Sequence, residues 1–525
     1  MSPQAPVPGG PKRPRKDDFY RHLARRISVP PAPPPRHPAS RRIKPSAPVA
    51  GHRIAARFDR MGPGGEALAA VDGRTLEVPY AAPGDEATVR LTAVESDRLR
   101  GQIVVLKRTS PHLTRPRCPH FGRCGGCQWQ HLDYPAQLEQ KTLLVRDALA
   151  LAGLGQVRVD PAVGWEPPWE FRTALDAAVS TRNGRPVLGF FTWGGERVVD
   201  IKSCPVQHPG NVAALTAVRA AWDALAPVME ADVPLGTPGS LAATVTPSSG
   251  AAARFRLRSR SRRVIGRGTL RGVMARVGAA TGEVMLGLKV SEPLTIEGRS
   301  AVVRALLDRV PGLISIMQMR VPRTIALLRG RRPSLLWGRP YIRDEIAGVR
   351  YHIPVLAEFP INARALPGVI ELVLGQLDIA SGDNVIETDA GVGAYTLHLA
   401  LAAGRVMGIT DENLLDAAWG NARLNRLGNC LFYTRDPIKA LEKLKRYGPV
   451  HHAFLHPPGE GLPAGLPRGL RGGGITRIVY LGRTLGAVNR DTQALAKVGY
   501  RIVRVQPLDV SPHTSRLAVL VTAVV

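Results

Sequence analysis

The sequence predicts a multidomain α/β protein, and three observations support this prediction. Its 525 residues correspond to about three domains of ordinary size. Apolar strand candidates in the last third alternate with helical stretches, a pattern typical of a parallel sheet covered by helices. Short strands separated by glycine-containing turns occupy residues 46–108, and a cysteine-rich knot follows at 109–131. No window approaches about eighteen consecutive apolar residues, so we expect no membrane-spanning helix.

Positive charge dominates the composition. The chain has 71 Lys and Arg against 42 Asp and Glu, a formal net charge of +29. Residues 1–45 hold eleven of these cations, two acids and twelve prolines, which predicts a disordered basic arm. Arginine also recurs at every second position from Arg254 to Arg262, so a strand there would present a guanidinium face and the strip to Arg271 would contact phosphates. A solubilising tail and a solvated surface strand are the alternatives. We expect a cytoplasmic protein with a polyanionic partner, nucleic acid foremost.

Four segments follow from these patterns. Residues 1–45 form the basic arm, and residues 46–108 form a small β-barrel whose strands are separated by turns. Residues 109–350 are predicted as a mixed α+β central domain that contains the cysteine knot. Residues 351–525 are predicted as a doubly wound, Rossmann-like domain.

The last domain contains seven strand candidates that end in a hairpin-like pair, as in the Class I methyltransferase core. Helical periodicity also predicts helices from Tyr134 to Leu151 and from Pro367 to Leu377. The strand candidates begin near Asn384, Arg405, Asn429, His451, Arg477, Arg501 and Leu517.

Four cysteines stand in a three-plus-one arrangement. Cys118, Cys124 and Cys127 lie within ten residues, and Cys204 follows 77 residues after Cys127. Four thiolates spaced in this way bind either a 4Fe–4S cluster or a tetrahedral zinc ion, and the spacing leaves both open. Gly125 and Gly126 allow the backbone to wrap closely around an inorganic group. The fifth cysteine, Cys430, is interpreted as a buried packing residue.

The segment from Cys118 to Lys141 resembles the RNA (uracil-5-)-methyltransferases, particularly the ribosomal-RNA branch. It contains Cys124-Gly-Gly-Cys127-Gln-Trp-Gln-His131, followed by Tyr134 and Gln137. The resemblance implies a 4Fe–4S cluster on Cys118, Cys124, Cys127 and Cys204. It also implies an OB-like, RNA-binding TRAM barrel at 46–108, S-adenosyl-L-methionine as methyl donor, and ribosomal or transfer RNA as partner. We expect a monomer.

Uracil C5 methylation needs a thiol that adds to C6, a base that removes the C5 proton, and a methyl donor. The family's reactive cysteine lies between a strand and an Arg-Asp pair. In this sequence the cysteine position holds Arg483, and the pair is Arg490-Asp491. Arginine is no nucleophile. The family's glutamate base corresponds to Ala518. The resemblance therefore implies a member that lacks both catalytic groups.

The donor loop is kept only in part. Gly391 and Gly393 follow a strand and open a helix, as a cofactor loop requires. The acid expected after the next strand is replaced by Thr410, with Asp411 one residue later. The family's Asp-Pro-Pro-Arg sequence begins here with His456, and its glutamine after two phenylalanines is Pro360. Gly391, Gly393 and Asp411 are the predicted donor-binding residues, and donor binding is doubtful.

Three hypotheses remain. The first is an RNA-binding iron–sulfur protein that has lost uracil C5 methylation, wholly or nearly so. The second is an active RNA methyltransferase with an altered mechanism or target, because a ring nitrogen or hydroxyl accepts a methyl group without a cysteine nucleophile. The third is an RNA-binding redox or iron sensor. Donor binding discriminates between the first two.

Overall fold

The computed structural model describes residues 48–525 except 184, 196, 223–269, 292, 295, 322–332 and 435. The predicted basic arm and the arginine row at 254–262 therefore lie outside the described residues. Two compact units are present: one ends at Pro116 and includes His131–Asp133, and the other comprises Arg117–Gln130 and Tyr134–Val525. No helix in the described part of the chain is long and apolar enough to cross a membrane.

The first unit is built on a six-stranded sheet with strand order β1-β5-β6-β4-β3-β2. Its pairs are antiparallel except for β4 and β6, which run parallel. Alternating burial along β5 places every second side chain on the packed face. The strands are Arg53–Arg57 (β1), Arg60–Met61 (β2), Ala67–Val71 (β3), Arg74–Val78 (β4), Glu86–Val94 (β5) and Arg98–Arg108 (β6).

A seven-stranded sheet of order β13-β12-β11-β10-β7-β8-β9 forms the middle of the second unit. Helices α2 and α3 pack on it through Leu215, Val218, Val302 and Leu306, which share one hydrophobic core with the strands. The elements, with helix α1 before them, are Tyr134–Leu151 (α1), Ala174–Arg182 (β7), Arg185–Phe191 (β8), Val198–Asp200 (β9), Pro209–Ala220 (α2), Leu270–Val277 (β10), Val284–Val290 (β11), Ile296–Leu307 (α3), Leu313–Arg320 (β12) and Ser334–Gly338 (β13).

A two-stranded antiparallel pair, Tyr341–Ile346 (β14) and Val349–Pro354 (β15), leads into the last sheet. That sheet has the order β18-β17-β16-β19-β20-β22-β21. Its strands run parallel except β22, which is antiparallel to both neighbours. The remaining elements are Leu366–Leu377 (α4), Asn384–Glu387 (β16), Thr396–Ala402 (α5), Arg405–Thr410 (β17), Leu415–Leu424 (α6), Cys430–Thr434 (β18), Pro437–Leu444 (α7), Val450–Leu455 (β19), Leu466–Gly472 (α8), Arg477–Gly482 (β20), Leu485–Lys497 (α9), Arg501–Leu508 (β21) and Ala518–Val524 (β22).

Helices cover both faces of this last sheet. Val385 belongs to the core shared with α4, α5 and α6, whereas the next residue, Ile386, belongs to the core shared with α1, α7, α8 and α9. Successive strand residues point to opposite faces, so the two cores lie on opposite sides. All four residues of β16 are buried, as expected for a central parallel strand.

The strand predictions for this region are confirmed to within one residue. Strands begin at Asn384, Arg405, Arg477 and Arg501 as expected, while the other three begin at Cys430, Val450 and Ala518, each shifted by one position. The helix predicted over Tyr134–Leu151 has those bounds, and the next begins at Leu366 rather than Pro367.

Candidate functional site

Cys118, Cys124 and Cys127 lie in the irregular segment before α1, and Cys204 follows β9. Backbone N–H groups point at two of these sulfurs. His120 N donates to Cys118 Sγ and Gly126 N donates to Cys124 Sγ, each over 3.4 Å. Such donors stabilise thiolates, so this backbone suits sulfurs that carry negative charge.

The four thiols affect one another electrostatically. The pKa of Cys124 and that of Cys127 are raised to about 12 each, chiefly by burial, with a contribution from the neighbouring Cys204. Burial also raises the pKa of Cys118, again with a contribution from Cys204. The structure thus brings the predicted three-plus-one set into one neighbourhood. Within the described ranges, no three His, Cys, Asp or Glu side chains converge as a single-ion site requires.

Two arginines accompany the cysteines. Arg172 opposes the rise in the pKa of Cys124, Cys127 and Cys204. Its buried Nε has no hydrogen-bond partner among the described residues. Burial and Arg172 lower the pKa of Arg516, whereas Cys127 raises it. Positive charge therefore lies beside thiols that would be anionic when bound to metal.

Gly125 has a packing role in this segment. Its N–H donates to Phe191 O over 2.8 Å, and a Cβ added to it would lie 2.9 Å from the backbone of Thr192 and Trp193. Any larger residue would push the cysteine segment away from the end of β8. The two glycines predicted that the chain backbone approaches another group closely. At Gly125 the group that it approaches is the backbone of Thr192 and Trp193.

The chain between β21 and β22 packs directly on the cysteine segment. The carbonyl of His513 accepts the N–H groups of Gln128 and Trp129, over 3.0 and 2.9 Å, immediately after Cys127. The His513 ring stacks on Trp169 with centroids 3.9 Å apart. This connection also contains Arg516 and leads to Ala518, so the family's base position and the cysteines belong to one packed region.

The predicted donor loop follows β16. Gly391 has φ +58°, and a Cβ there would lie 2.8 Å from Glu358 O; Gly393 has φ +93°. The hydroxyl of Thr410, at the end of β17, donates to Gly391 O over 2.6 Å. Thr410 therefore stabilises the loop from within. Asp411 is exposed and accepts a hydrogen bond from Asn413 N, so its carboxylate lies at the surface beside the loop.

The family's nucleophile and base positions have opposite environments. Arg483 directly follows β20 and is exposed. Ala518 is the first residue of β22, pairs with Leu508, and is 4% exposed within the core. Its methyl group contributes packing and offers no acid–base chemistry.

A buried acid–imidazole pair lies between the donor loop and Arg483. Glu387 Oε1 and His456 Nε2 are 2.8 Å apart, with side chains 0% and 4% exposed. Glu387 ends β16 and His456 follows β19, two adjacent strands. The sequence identified His456 as a substitution but gave no sign of its partner, because the two positions are 69 residues apart.

Asp389 and Arg483 are also neighbours of this pair. Desolvation raises the pKa of the Asp389 carboxyl, and the charge of Arg483 is among the effects that oppose the rise. Burial raises the pKa of the Tyr395 hydroxyl. Arg483 opposes this rise and Glu387 adds to it. His456 and Arg483, two of the positions that depart from the family pattern, are thus both neighbours of Asp389.

Comparisons with known proteins give a consistent result. No protein-family model matches the chain. A protein of Bacillus cereus named an uncharacterized RNA methyltransferase is 27% identical over 468 residues, covering 88% of this chain and 95% of the relative. A Gloeobacter violaceus protein with the same description is 28% identical over 490 residues, covering 92% and 98%.

Among solved structures, the fold is similar to that of Pyrococcus abyssi tRNA (uracil-54, C5)-methyltransferase in complex with S-adenosyl-L-homocysteine. The TM-score is 0.64 with 21% identity, over 90% of this chain and all of that one. The chain thus shares a mixed α/β, methyltransferase-like fold with that enzyme. The sequence relatives are named RNA methyltransferases, and the structural similarity shows the fold.

Proposed function

We propose that this protein is an RNA-binding, iron–sulfur member of the RNA (uracil-5-)-methyltransferases that does not methylate uracil C5. The observation that carries the proposal is the placement of Arg483 at the end of β20, where the family has its attacking cysteine. Without a thiolate added to C6, uracil C5 is too weak a nucleophile for a sulfonium methyl group.

The base position supports the same conclusion. Removal of the C5 proton needs a carboxylate or another acceptor beside the ring. Ala518 provides none, and it is buried as a paired residue of the sheet. Loss of a covalent nucleophile costs many orders of magnitude in rate. Two independent deficits therefore oppose C5 methylation.

Cys118, Cys124, Cys127 and Cys204 are the proposed ligands of the 4Fe–4S cluster. Each thiolate of such a cluster binds a different iron atom, so the sulfurs need not converge on one point. The N–H groups of His120 and Gly126 and the charge of Arg172 suit an anionic sulfur environment. When bound, the cluster would crosslink the segment before α1 to the segment after β9.

The cluster proposal is tested on anaerobically purified protein. Iron and acid-labile sulfide are expected in near-equal amounts, with loss of both in Cys127→Ser. Cys430→Ser is the control, because Cys430 is a buried cysteine that lies away from the other four, in the core of the last sheet. Stoichiometric zinc without sulfide would contradict the cluster proposal and indicate a tetrahedral zinc site instead.

RNA is the proposed partner. The relatives are named RNA methyltransferases, and the net charge of +29 suits a polyanion. We assign residues 46–108 as the family's RNA-binding barrel. S-adenosylmethionine is the proposed ligand of the loop that contains Gly391 and Gly393, both of which have positive φ. Isothermal calorimetry with S-adenosylmethionine measures this directly.

The proposal on uracil is tested by incubating the protein with labelled S-adenosylmethionine and unmodified ribosomal or transfer RNA. The RNA is then digested to nucleosides and analysed by mass spectrometry. We expect no 5-methyluridine. Its appearance at a specific site, dependent on this protein, would refute the proposal.

A further inference from the structure

The buried Glu387–His456 pair lies at the switch point of the last sheet. From β16 the chain proceeds to β17 and β18 on one side, then returns to place β19 on the other side of β16. Ligands of open α/β sheets bind at the carboxyl ends of the strands beside this point. Glu387 ends β16 and His456 follows β19, so the pair spans it.

A hydrogen bond to Glu387 orients the imidazole. With the Glu387 carboxylate accepting from Nε2 of His456, the neutral ring has its lone pair on Nδ1. A carboxylate that holds an imidazole in this way prepares its other nitrogen to accept a proton. The ring is also held by Phe454, at 4.8 Å between centroids, and by Tyr395, at 5.2 Å.

Two buried atoms of the pair are left without partners. His456 Nδ1 and Glu387 Oε2 have no hydrogen-bond partner in the described parts of the chain. Buried polar atoms normally have one, so each such atom calls for an explanation, such as a missing ligand. An N–H or O–H group of a ligand would satisfy either atom. Asp389 and Arg483, both exposed, lie near the pair.

We propose that His456, oriented by Glu387, accepts the proton during methyl transfer from S-adenosylmethionine to a ring nitrogen or hydroxyl of an RNA nucleotide. The acceptor lone pair forms the new bond to the methyl carbon. The carbon–sulfur bond breaks and its electrons stay on sulfur, which gives S-adenosylhomocysteine. The acceptor's proton passes to His456 Nδ1. This reaction needs neither a cysteine at position 483 nor a carboxylate at position 518.

His456→Gln is the decisive variant, since its amide keeps a donor for Glu387 but lacks the Nδ1 base. His452→Gln is the matched control. His452 lies on β19, the strand that His456 follows, and also pairs with an acid, Asp383, over 3.1 Å, but it is four residues away from His456. Comparison of the thermal midpoints of the full-length proteins shows whether each variant folds.

The assay uses the full-length protein, labelled S-adenosylmethionine, and transcribed ribosomal and transfer RNA. We expect one nucleoside methylated on nitrogen or oxygen, with kcat lowered about 10²–10⁴-fold in His456→Gln and KM for the donor little changed. His452→Gln should retain wild-type kcat. Glu387→Gln, which keeps the shape of the side chain, should lower kcat without changing the product.

Three results would overturn this inference: no transfer by the wild-type protein, full activity in folded His456→Gln, or equal losses in His456→Gln and His452→Gln. None of them affects the proposed absence of C5 methylation. A product consisting of 5-methyluridine would overturn both, so the two proposals fail on different observations.

Discussion

Lys141 and Asp509 form an ion pair in which both side chains are fully buried. The pair joins α1 to the connection between β21 and β22, and Lys141 also donates to Ser511 O over 3.2 Å. Burial lowers the pKa of Lys141 and raises that of Asp509, while the attraction between the two charges opposes both changes. Each charge is therefore stable in the interior only because the other is present.

Removal of one partner is expected to be strongly destabilising. Asp509→Asn should lower the free energy of unfolding by about 3–5 kcal/mol, because Lys141 is left buried without a counter-charge. The double variant Lys141→Met/Asp509→Leu should cost less than Asp509→Asn alone. Urea denaturation measures both. Glu442→Gln, at the surface pair with Lys445, is the control and should change stability by less than about 1 kcal/mol.

The same ion pair shows what the sequence reveals and what it leaves out. Lys141 was recognised only as a member of a family motif, and Asp509 was not singled out, because a partner 368 residues away leaves no trace in local periodicity. Strands of the last sheet were located well, since buried parallel strands appear as apolar runs between loops and helices. The pairing of Glu387 with His456 could not be predicted from local sequence, for the same reason as the pairing of Lys141 with Asp509.

The donor loop shows a different limit. Thr410 was interpreted from the sequence as a missing acid, a change that weakens a cofactor site. In the structure its hydroxyl supports the loop through Gly391 O. A motif identifies the position to inspect, but only the fold shows whether a substituted side chain has acquired another contact. The cysteines are the opposite case, since their spacing alone predicted that they would be neighbours.

Acid should destabilise the region around His513. Burial lowers the pKa of His513 to about 3; the charges of Lys141 and Arg117 add to this shift, and the hydrogen bond from Nε2 to Pro168 O opposes it. The unfolded chain binds that proton below about pH 6.5 and the folded chain does not. Stability should therefore fall by about 1.4 kcal/mol per pH unit between about pH 6 and 3.

The measurement is the unfolding free energy as a function of pH for His513→Gln and the wild-type protein. The variant should be less stable at pH 7, because the stacking on Trp169 is lost, but its stability should decline less steeply in acid. The exposed His451 supplies the control variant, His451→Gln, which should keep the wild-type slope. Identical slopes for wild type and His513→Gln would contradict the assignment.

Gly391 is expected to be required for folding of the donor loop. An alanine would adopt φ +58° and place its Cβ 2.8 Å from Glu358 O. Gly391→Ala should therefore lower the free energy of unfolding by about 1–3 kcal/mol. Gly420 lies inside α6 with nothing within 4 Å of its added Cβ, so Gly420→Ala should be neutral or stabilise by up to about 1 kcal/mol. Equal effects of the two changes would argue against the loop geometry.

RNA affinity should depend steeply on salt. If roughly five phosphates are neutralised on a single strand, the slope of log affinity against log salt should be about −3 to −4. Deletion of residues 1–45, which contribute eleven cations in the sequence, should make the slope shallower. Filter binding over a range of potassium chloride concentrations measures the slope. A salt-independent affinity would refute the electrostatic interpretation of the charge.

Arg483→Cys should not restore uracil C5 methylation. A thiol at that position supplies the missing nucleophile, but Ala518 still provides no acceptor for the C5 proton. Adding the acceptor conflicts with the fold, because position 518 is 4% exposed and pairs with Leu508 inside the sheet. Ala518→Glu should therefore lower the free energy of unfolding by about 1–3 kcal/mol or more.

The test compares Arg483→Cys, Arg483→Cys/Ala518→Glu and Arg490→Cys for release of 5-methyluridine. Arg490 is another exposed arginine on α9 and controls for an added thiol elsewhere. We expect none of the three variants to form 5-methyluridine. Turnover by Arg483→Cys alone would show that another group removes the C5 proton, and His456, the buried imidazole of the same site, would be the first residue to replace.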